Sequence, residues 1–255
     1  MPPPGKLALL KGSRGFTLAE VLITLGIIGV VAALTIPVLI NKYKEKVLVT
    51  AAKRSYSIVF NAINSWSLKN GEPGDYEYFW ASLGDNDSIL KEFSKELNIT
   101  NICTNYNVEK CGGSYDVKPV KKTNDGYGNT KLEPFMNQRR IVLADGTFIS
   151  LYSEVQNGSC THTYFSNETD SNGNFIPDPS SPTGLKGEYK TSMNCGFIYI
   201  DTNGLKGPNQ VGKDYFIISS TNKIFTSSID TYGNLNYVLS HNKLIKTDNY
   251  SIGKY

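Results

Sequence analysis

The strongest feature of the hydropathy pattern is a run of twenty residues without a charge, at positions 21–40. As an α-helix, a run of this length spans about 30 Å, the thickness of a hydrocarbon core. The run therefore predicts a membrane-spanning helix or an export signal. Gly26, Gly29 and Pro37 lie within it. They indicate either a packing surface for close helix approach or points where the helix kinks or loosens.

A second periodic pattern follows the apolar run. Apolar or small residues recur at spacings of three and four, which predicts a helix face that packs on a sheet. These residues are Leu48, Ala52, Ser55, Val59, Ala62 and Trp66. Asn-Gly and Pro-Gly pairs at positions 70–71 and 73–74 then predict the end of the helix. We therefore expect one N-terminal helix over residues 16–70, which spans the membrane in residues 16–40.

Strand patterns prevail beyond residue 74. Residues 140–152 predict a β-hairpin, because two apolar strands flank an Asp-Gly pair. Residues 196–200 and 215–219 predict a second strand pair joined by a long turn, and residues 223–227 a further strand. We expect an antiparallel sheet on the N-terminal helix, which makes the fold class α+β.

Three other distal segments have local signals. Residues 88–97 predict a short amphipathic helix with Asp87 or Ser88 as its cap. Residues 101–113 predict a loop closed by a disulfide. Residues 157–190 are rich in Asn, Gly, Ser and Pro, and they predict a surface loop between strands.

The positive charge of the chain is concentrated at its start. The formal net charge is +3, and Lys6, Lys11 and Arg14 supply three positive charges with no acid among residues 1–15. Without that segment, 26 − 3 = 23 basic residues face 23 acidic ones. Nothing in the bulk charge therefore argues for a nucleic-acid partner, and none is expected, although DNA binding by a local patch stays open.

The residues in front of the apolar run form a motif. Lys-Gly-Ser-Arg-Gly at 11–15 leads directly into Phe-Thr-Leu-Ala-Glu at 16–20. An ordinary secretory signal has its cleavage site after the apolar region. This arrangement instead resembles the class III signal of type IV prepilins and type II secretion pseudopilins. The resemblance implies that a prepilin peptidase cuts after Gly15 and methylates the new N-terminal residue, Phe16.

Glu20 has two interpretations. A lone carboxylate at the edge of a membrane span is costly without a partner. In the prepilin family the partner is the α-amino group of the first mature residue of a neighbouring subunit, here Phe16. The alternative is an acid in the first turn of a helix, which the helix dipole favours. The resemblance also implies that residues 29–37 unwind locally in an assembled filament.

The same resemblance implies a domain plan and a set of partners. Residues 1–15 would be a leader that is removed, and residues 71–255 a β-rich globular domain outside the cytoplasm. The fold would be pilin-like, and the protein would cross the bacterial inner membrane once before assembly into an extracytoplasmic filament. Its partners would be the prepilin peptidase, other pilin or pseudopilin subunits through the N-terminal helix, and an inner-membrane assembly platform.

Four cysteines lie in the distal part: Cys103, Cys111, Cys160 and Cys195. An even number in an exported domain favours two disulfides. Three pairings are possible. Proximity in sequence favours Cys103 with Cys111 and Cys160 with Cys195.

Two loops begin with Asp-x-Asn-Gly, and alternating oxygen-bearing side chains can converge on a calcium ion. The first loop offers Asp170, Asn172, Asn174 and Asp178; the second offers Asp201, Asn203 and Asp214. In the first loop, asparagines stand at two positions where calcium loops have acids. In the second loop, Lys206 lies in the centre and is a poor neighbour for a cation. The alternative is that Asn, Asp and Gly here only form turns. A calcium ion is the one cofactor that the sequence suggests.

No catalytic motif is present: the chain lacks G-x-S-x-G, H-E-x-x-H and a P-loop. We therefore expect no enzyme activity. The sequence favours a structural subunit, either a pseudopilin or a minor pilin, of a secretion pseudopilus or a type IV pilus. The alternative is a binding module delivered by the filament, whose loops at 157–190 capture a secreted substrate, a surface glycan or DNA.

Overall fold

The fold begins with α1 (Leu18–Asn70), a helix of 53 residues. The computed structural model describes residues 15–71, 73–82, 84–104, 107–118, 135–226 and 234–245. Gly71 follows α1 with φ of 84°. Glycine tolerates this left-handed conformation, and it commonly terminates helices there. The long N-terminal helix predicted from the sequence is confirmed.

The chain divides into two units, Met1–Lys44 and Glu45–Tyr255. Within the second unit α1 buries one face, formed by Val49, Ala52, Ser55, Val59, Ala62, Ile63, Trp66 and Ser67. The predicted stripe is therefore confirmed except at its first position. Val49 is buried, whereas Leu48 is only half-buried although it lies four residues before Ala52 on the same face.

Two short helices follow: α2 (Tyr76–Ala81) and α3 (Asn86–Ser94). No sequence pattern predicted α2, and the amphipathic pattern at residues 88–97 places α3 too late. The predicted N-cap of α3, Asp87 or Ser88, was also wrong. Asp85 is the N-cap, and its carboxylate accepts hydrogen bonds from the N–H groups of Asp87 and Ser88 at 2.9 and 3.0 Å.

An aromatic cluster joins these helices to α1. Phe79 contacts the edges of Trp66, Trp80 and Phe93 at centroid distances of 5.1, 5.2 and 6.1 Å. Such edge-to-face pairs add to the stability gained by burial. The indole N–H of Trp80 donates to Ser220 Oγ at 2.9 Å, so its one polar atom is satisfied inside the core.

The main sheet has six antiparallel strands in the order β1-β2-β3-β6-β7-β8. They are β1 (Ile99–Cys103), β2 (Arg140–Leu143), β3 (Phe148–Ser153), β6 (Gly196–Asp201), β7 (Tyr215–Ser220) and β8 (Phe225–Thr226). The predicted hairpin is β2–β3, and the second predicted pair is β6–β7. Of the predicted strand at 223–227, residue 227 lies outside the described residues.

Both faces of this sheet are covered. Ile149, Ile198 and Phe216 lie in the main core together with the buried face of α1. Their neighbours Phe148 and Tyr215 point to the opposite face and belong to a second cluster, which includes Val117, Met136 and Val211. Burial on both faces explains why β3, β6 and β7 are apolar with little alternation.

The prediction that residues 157–190 form a surface loop is wrong. This region contains β4 (Thr161–Asn167), which pairs with β5 (Gly187–Met193) in a separate two-stranded sheet. We refer to this pair as the β4–β5 arm. Neither strand contributes to the core clusters, so no alternation of polar and apolar residues marks them. A further helix, α4 (Leu235–His241), was also not predicted.

Candidate functional site

The N-terminal site is built on the first turn of α1. Thr17 precedes the helix, and its hydroxyl accepts a hydrogen bond from the backbone N–H of Glu20 at 3.2 Å. In return, Glu20 Oε2 accepts from the backbone N–H and the hydroxyl of Thr17, both at 2.8 Å. This reciprocal arrangement is a capping box, which satisfies N–H groups that a helix start leaves without partners.

The capping box gives Glu20 a local role that the sequence analysis did not assign. The signal was available, because Thr17-Leu18-Ala19-Glu20 fits the S/T-x-x-E pattern that begins many helices. The box uses one carboxylate oxygen, Oε2. Phe16 lies immediately before it with 88% of its surface exposed. A local cap and a partner outside the chain are therefore both sterically open to Glu20.

The apolar part of α1 carries its few polar groups without cost to the helix. Thr24 donates to the carbonyls of Glu20 and Val21 at 2.9 Å, and Thr35 donates to the carbonyl of Val31 at 2.9 Å. The side chains of this stretch are exposed. This is the one helix of the described residues that is long and apolar enough to cross a membrane.

Three residues of this stretch carry predicted roles in packing or unwinding. A Cβ added at Gly26 or Gly29 would meet no atom within 4 Å, so the chain itself does not require glycine at either position. Pro37 lies inside the helix, and residues 29–37 are helical. Unwinding of this segment in a filament stays a prediction.

A family model described as the prokaryotic N-terminal methylation motif matches residues 10–36. The chain carries the prepilin-type signal of type IV pilins and pseudopilins. The prepilin-type signal supports a pilin or pseudopilin subunit, and that family consists of structural subunits, not enzymes. Together with the apolar helix, the prepilin-type signal suits a single-pass protein of the inner membrane. Neither the curated proteins nor the solved structures give a significant match.

All four cysteines form disulfides, Cys103 with Cys111 and Cys160 with Cys195. This is the pairing that proximity favours. Two disulfides are expected where the globular part matures in an oxidising compartment. Because Cys160 is oxidised, it does not form a thiol dyad with the neighbouring His162.

Arg140 organises the first disulfide loop and was not predicted. It is fully buried, and its Nη2 donates to the carbonyls of Cys111 and Gly113 at 2.7 and 2.5 Å. Its guanidinium lies 4.5 Å from the ring centroid of Phe148. Burial lowers the pKa of Arg140, and the nearby charge of Asp201 opposes this effect. No local sequence signal marks a residue that acts through loops some thirty positions away.

The first candidate calcium loop is organised as turns. Asp170 Oδ1 accepts from the backbone N–H groups of Asn172 and Asn174 at 2.8 and 2.9 Å. Asp178 Oδ1 accepts from the backbone N–H of Ser180 at 2.9 Å. These hydrogen bonds, and that from the Ser180 hydroxyl, lower the pKa of both carboxyls. The geometry is that of Asx turns, and calcium binding here stays a prediction.

The second loop contains two buried carboxylates, Asp201 and Asp214. Asp214 closes the loop by accepting from the backbone N–H groups of Asn209 and Gln210 at 2.8 and 2.7 Å. Asp201 Oδ1 accepts from the N–H of Asn203 at 3.2 Å, and the Asp201 carboxyl is also hydrogen-bonded by the Tyr115 side chain. Among the described residues no three His, Cys, Asp or Glu side chains gather as a metal site. Calcium at this loop also stays a prediction.

Burial sets the titration of this pair. Burial, followed by the negative charge of Asp214, raises the pKa of Asp201 to about 7. Burial likewise raises the pKa of Asp214. Each carboxyl is therefore more readily protonated in the folded chain than in the unfolded one.

We expect the Asp201 carboxyl to destabilise the folded chain increasingly as pH rises from about 4 to 7. In this window unfolded Asp201 has lost the proton that the folded state keeps, which costs about 1.4 kcal/mol per pH unit. Asp201→Asn removes that cost. Over this window the cost sums to about 4 kcal/mol, so in thermal unfolding with EDTA present the variant should melt about 8–16 °C above wild type at pH 7.5 and together with it near pH 4.

The opposite result, a variant less stable than wild type at pH 7.5, would mean that the ionised carboxylate is stabilising. Repeating the melts with calcium tests the metal prediction in the same samples. A cation held by Asp201 would raise the wild-type midpoint, and Asp201→Asn would abolish the increase.

Proposed function

We propose that this chain is a pseudopilin or minor pilin of a type II secretion pseudopilus or a type IV pilus. The observation that carries the proposal is the methylation motif at residues 10–36, which leads directly into an exposed apolar helix. An apolar surface of this size is stable in lipid or against the equivalent helices of other subunits. A filament subunit meets the first environment before assembly and the second after it.

In this proposal the prepilin peptidase removes residues 1–15 and methylates Phe16. The remaining helix, residues 16–70, anchors the subunit in the inner membrane through residues 16–40. Residues 71–255 lie outside the cytoplasm, where the two disulfides are stable. The inner-membrane assembly platform then gathers subunits into the filament.

Assembly depends on charge neutralisation at the helix start. Glu20 would pair with the α-amino group of Phe16 in a neighbouring subunit. In an apolar environment each unpaired charge is expensive, and only the correct axial register brings the two charges together. The pair would therefore set the register between subunits as well as stabilise them.

Intact-mass spectrometry tests this proposal. Protein from cells that contain the prepilin peptidase should lack residues 1–15 and carry one added methyl group, and protein from cells without it should keep the full mass. Cleavage on the far side of the apolar run, or no cleavage in either strain, would overturn it.

A second role, a filament-delivered binding module, is favoured by a specific observation. The region at residues 157–190 exposes large aromatic side chains: Tyr164, Phe175 and Tyr189 are 50%, 59% and 65% exposed. Exposed aromatic side chains are enriched at interaction surfaces. The chain would then be both a subunit and a carrier of this surface.

A further inference from the structure

A groove of about 540 Å³ lies between the end of β3 and one face of the β4–β5 arm. Its lining includes Tyr152, Glu154, Gln156, His162, Tyr164 and Asn194. The volume falls within the range of roughly 300–1,000 Å³ that is typical of small-molecule sites. The lining is mostly polar, in contrast to the apolar interior of the sheet.

The base of the groove is held by the Cys160–Cys195 disulfide. The backbone N–H of Glu154 donates to the carbonyl of Cys195, and that of Asn194 donates to the carbonyl of Cys160, both at 2.9 Å. The Asn194 side chain donates to Glu154 Oε2 at 2.7 Å and accepts from Ser219 Oγ at 3.1 Å. Glu154 and Asn194 are therefore fixed in position before any ligand arrives, which lowers the entropic cost of binding.

His162 is oriented by a backbone carbonyl at the base of the groove. Its Nε2 lies 2.8 Å from the carbonyl oxygen of Asn194. A carbonyl only accepts, so Nε2 carries the proton, and in the neutral ring Nδ1 is then a lone-pair acceptor. Nδ1 is buried and has no hydrogen-bond partner. Because Nδ1 is closed to solvent, His162 contributes its ring to the groove wall and not a hydrogen-bond acceptor.

Two tyrosines complete the lining. Tyr164 is half exposed on the arm, and Tyr152 lies at the end of β3. Each ring offers a flat apolar face and a hydroxyl at its edge. A ligand that suits this groove therefore has an apolar face for the rings and hydroxyl donors for Glu154.

We propose that this groove binds a saccharide, one ring of which stacks on Tyr164 while its hydroxyls donate to Glu154. The proposal rests on the binding-module role given above and names its ligand class. A carboxylate without any Lys or Arg in the lining disfavours the phosphates of a nucleic acid. The polar walls disfavour a lipid chain.

The arm provides its own control. In the β4–β5 register Tyr189 lies opposite Phe165, the residue next to Tyr164. Because successive residues of a strand point to opposite faces, Tyr189 is on the face away from the groove. Tyr164 and Tyr189 are both exposed tyrosines of one hairpin, and only Tyr164 lines the groove.

The test uses the full chain in lipid nanodiscs, which avoids detergents with sugar head groups. An array of neutral and acidic oligosaccharides identifies the best probe, and isothermal titration calorimetry measures its affinity. Tyr164→Ala and Glu154→Gln should each weaken binding at least tenfold. Glu154→Gln keeps an acceptor for Asn194, so its fold should be retained. Tyr189→Ala should stay within twofold of wild type.

The proposal is overturned if no oligosaccharide on the array binds. It is also overturned if Tyr164→Ala and Glu154→Gln bind as wild type does, or if Tyr189→Ala loses as much affinity as Tyr164→Ala. Processing by the prepilin peptidase is measured separately by mass. A negative result for saccharide binding therefore does not affect the assignment as a pilin or pseudopilin subunit. A chain that is not processed can still be tested for saccharide binding.

Discussion

Gly15→Val should leave the entire precursor uncut in cells that contain the prepilin peptidase. Gly15 is exposed, and a Cβ built there would meet no atom of the chain within 4 Å. The substitution therefore has no folding cost, and any effect arises where the peptidase binds the residue before the scissile bond. Intact mass should show the full-length chain without a methyl group, and the mature species should fall at least tenfold.

Gly12→Val is the matched control, since it adds the same side chain three residues earlier. It should be processed as wild type is. If Gly15→Val were cleaved normally between residues 15 and 16, the proposed recognition of Gly15 would be wrong. If both variants remained uncut, the leader as a whole, and not Gly15, would determine recognition.

Glu20→Gln should be processed normally and yet be at least tenfold depleted from sheared filaments. Glutamine still offers an oxygen to the N–H of Thr17, so the capping box is kept. What is lost is the negative charge, which leaves the α-amino group of the neighbouring subunit unpaired in an apolar environment. The measurement compares the filament and membrane fractions by immunoblot, with mass spectrometry to verify processing.

Thr17→Ala is the converse variant, because it removes the cap and keeps the carboxylate. Loss of such a cap costs about 1 kcal/mol of helix stability, which a long helix tolerates. We therefore expect filament levels near wild type. The reverse pattern, with Glu20→Gln assembled and Thr17→Ala depleted, would assign Glu20 to the helix cap alone.

Local sequence signals predicted the elements that depend on local patterns. The apolar run, the stripe from Ala52 to Trp66 and the Gly71 terminus together indicate α1, and the Asp-Gly pair before Thr147 indicates the β2–β3 hairpin. In each case residues close together in the sequence are sufficient to predict the element. The N-cap of α3 could not be assigned from the sequence, because four good cap residues follow one another: Asp85, Asn86, Asp87 and Ser88.

The β4–β5 arm could not be predicted in this way. Most side chains of β4 and β5 are exposed or half-buried on both faces, so burial imposes no period of two. Their turn-rich connection is also long, from residue 168 to 186. The strands are specified by pairing with each other and by the disulfide at their base, and both depend on contacts distant in sequence.

The two candidate sites differ in the same respect. The prepilin-type signal is contiguous, so it can be recognised in one stretch of sequence. The groove draws on residues 152–156, 162–164 and 192–194, which β3, the arm and one disulfide bring together. The orientation of His162 in the groove depends on its hydrogen bond with Asn194, thirty-two residues apart.

The covalent closure at the base of the β4–β5 arm also has an evolutionary consequence. Cys160 and Cys195 are anchored in the core, whereas the residues between them contribute nothing to it. Substitutions and insertions in the arm are therefore decoupled from the stability of the scaffold. Selection can diversify this appendage quickly while the helix and the main sheet are conserved, much as variable loops diverge on a constant framework.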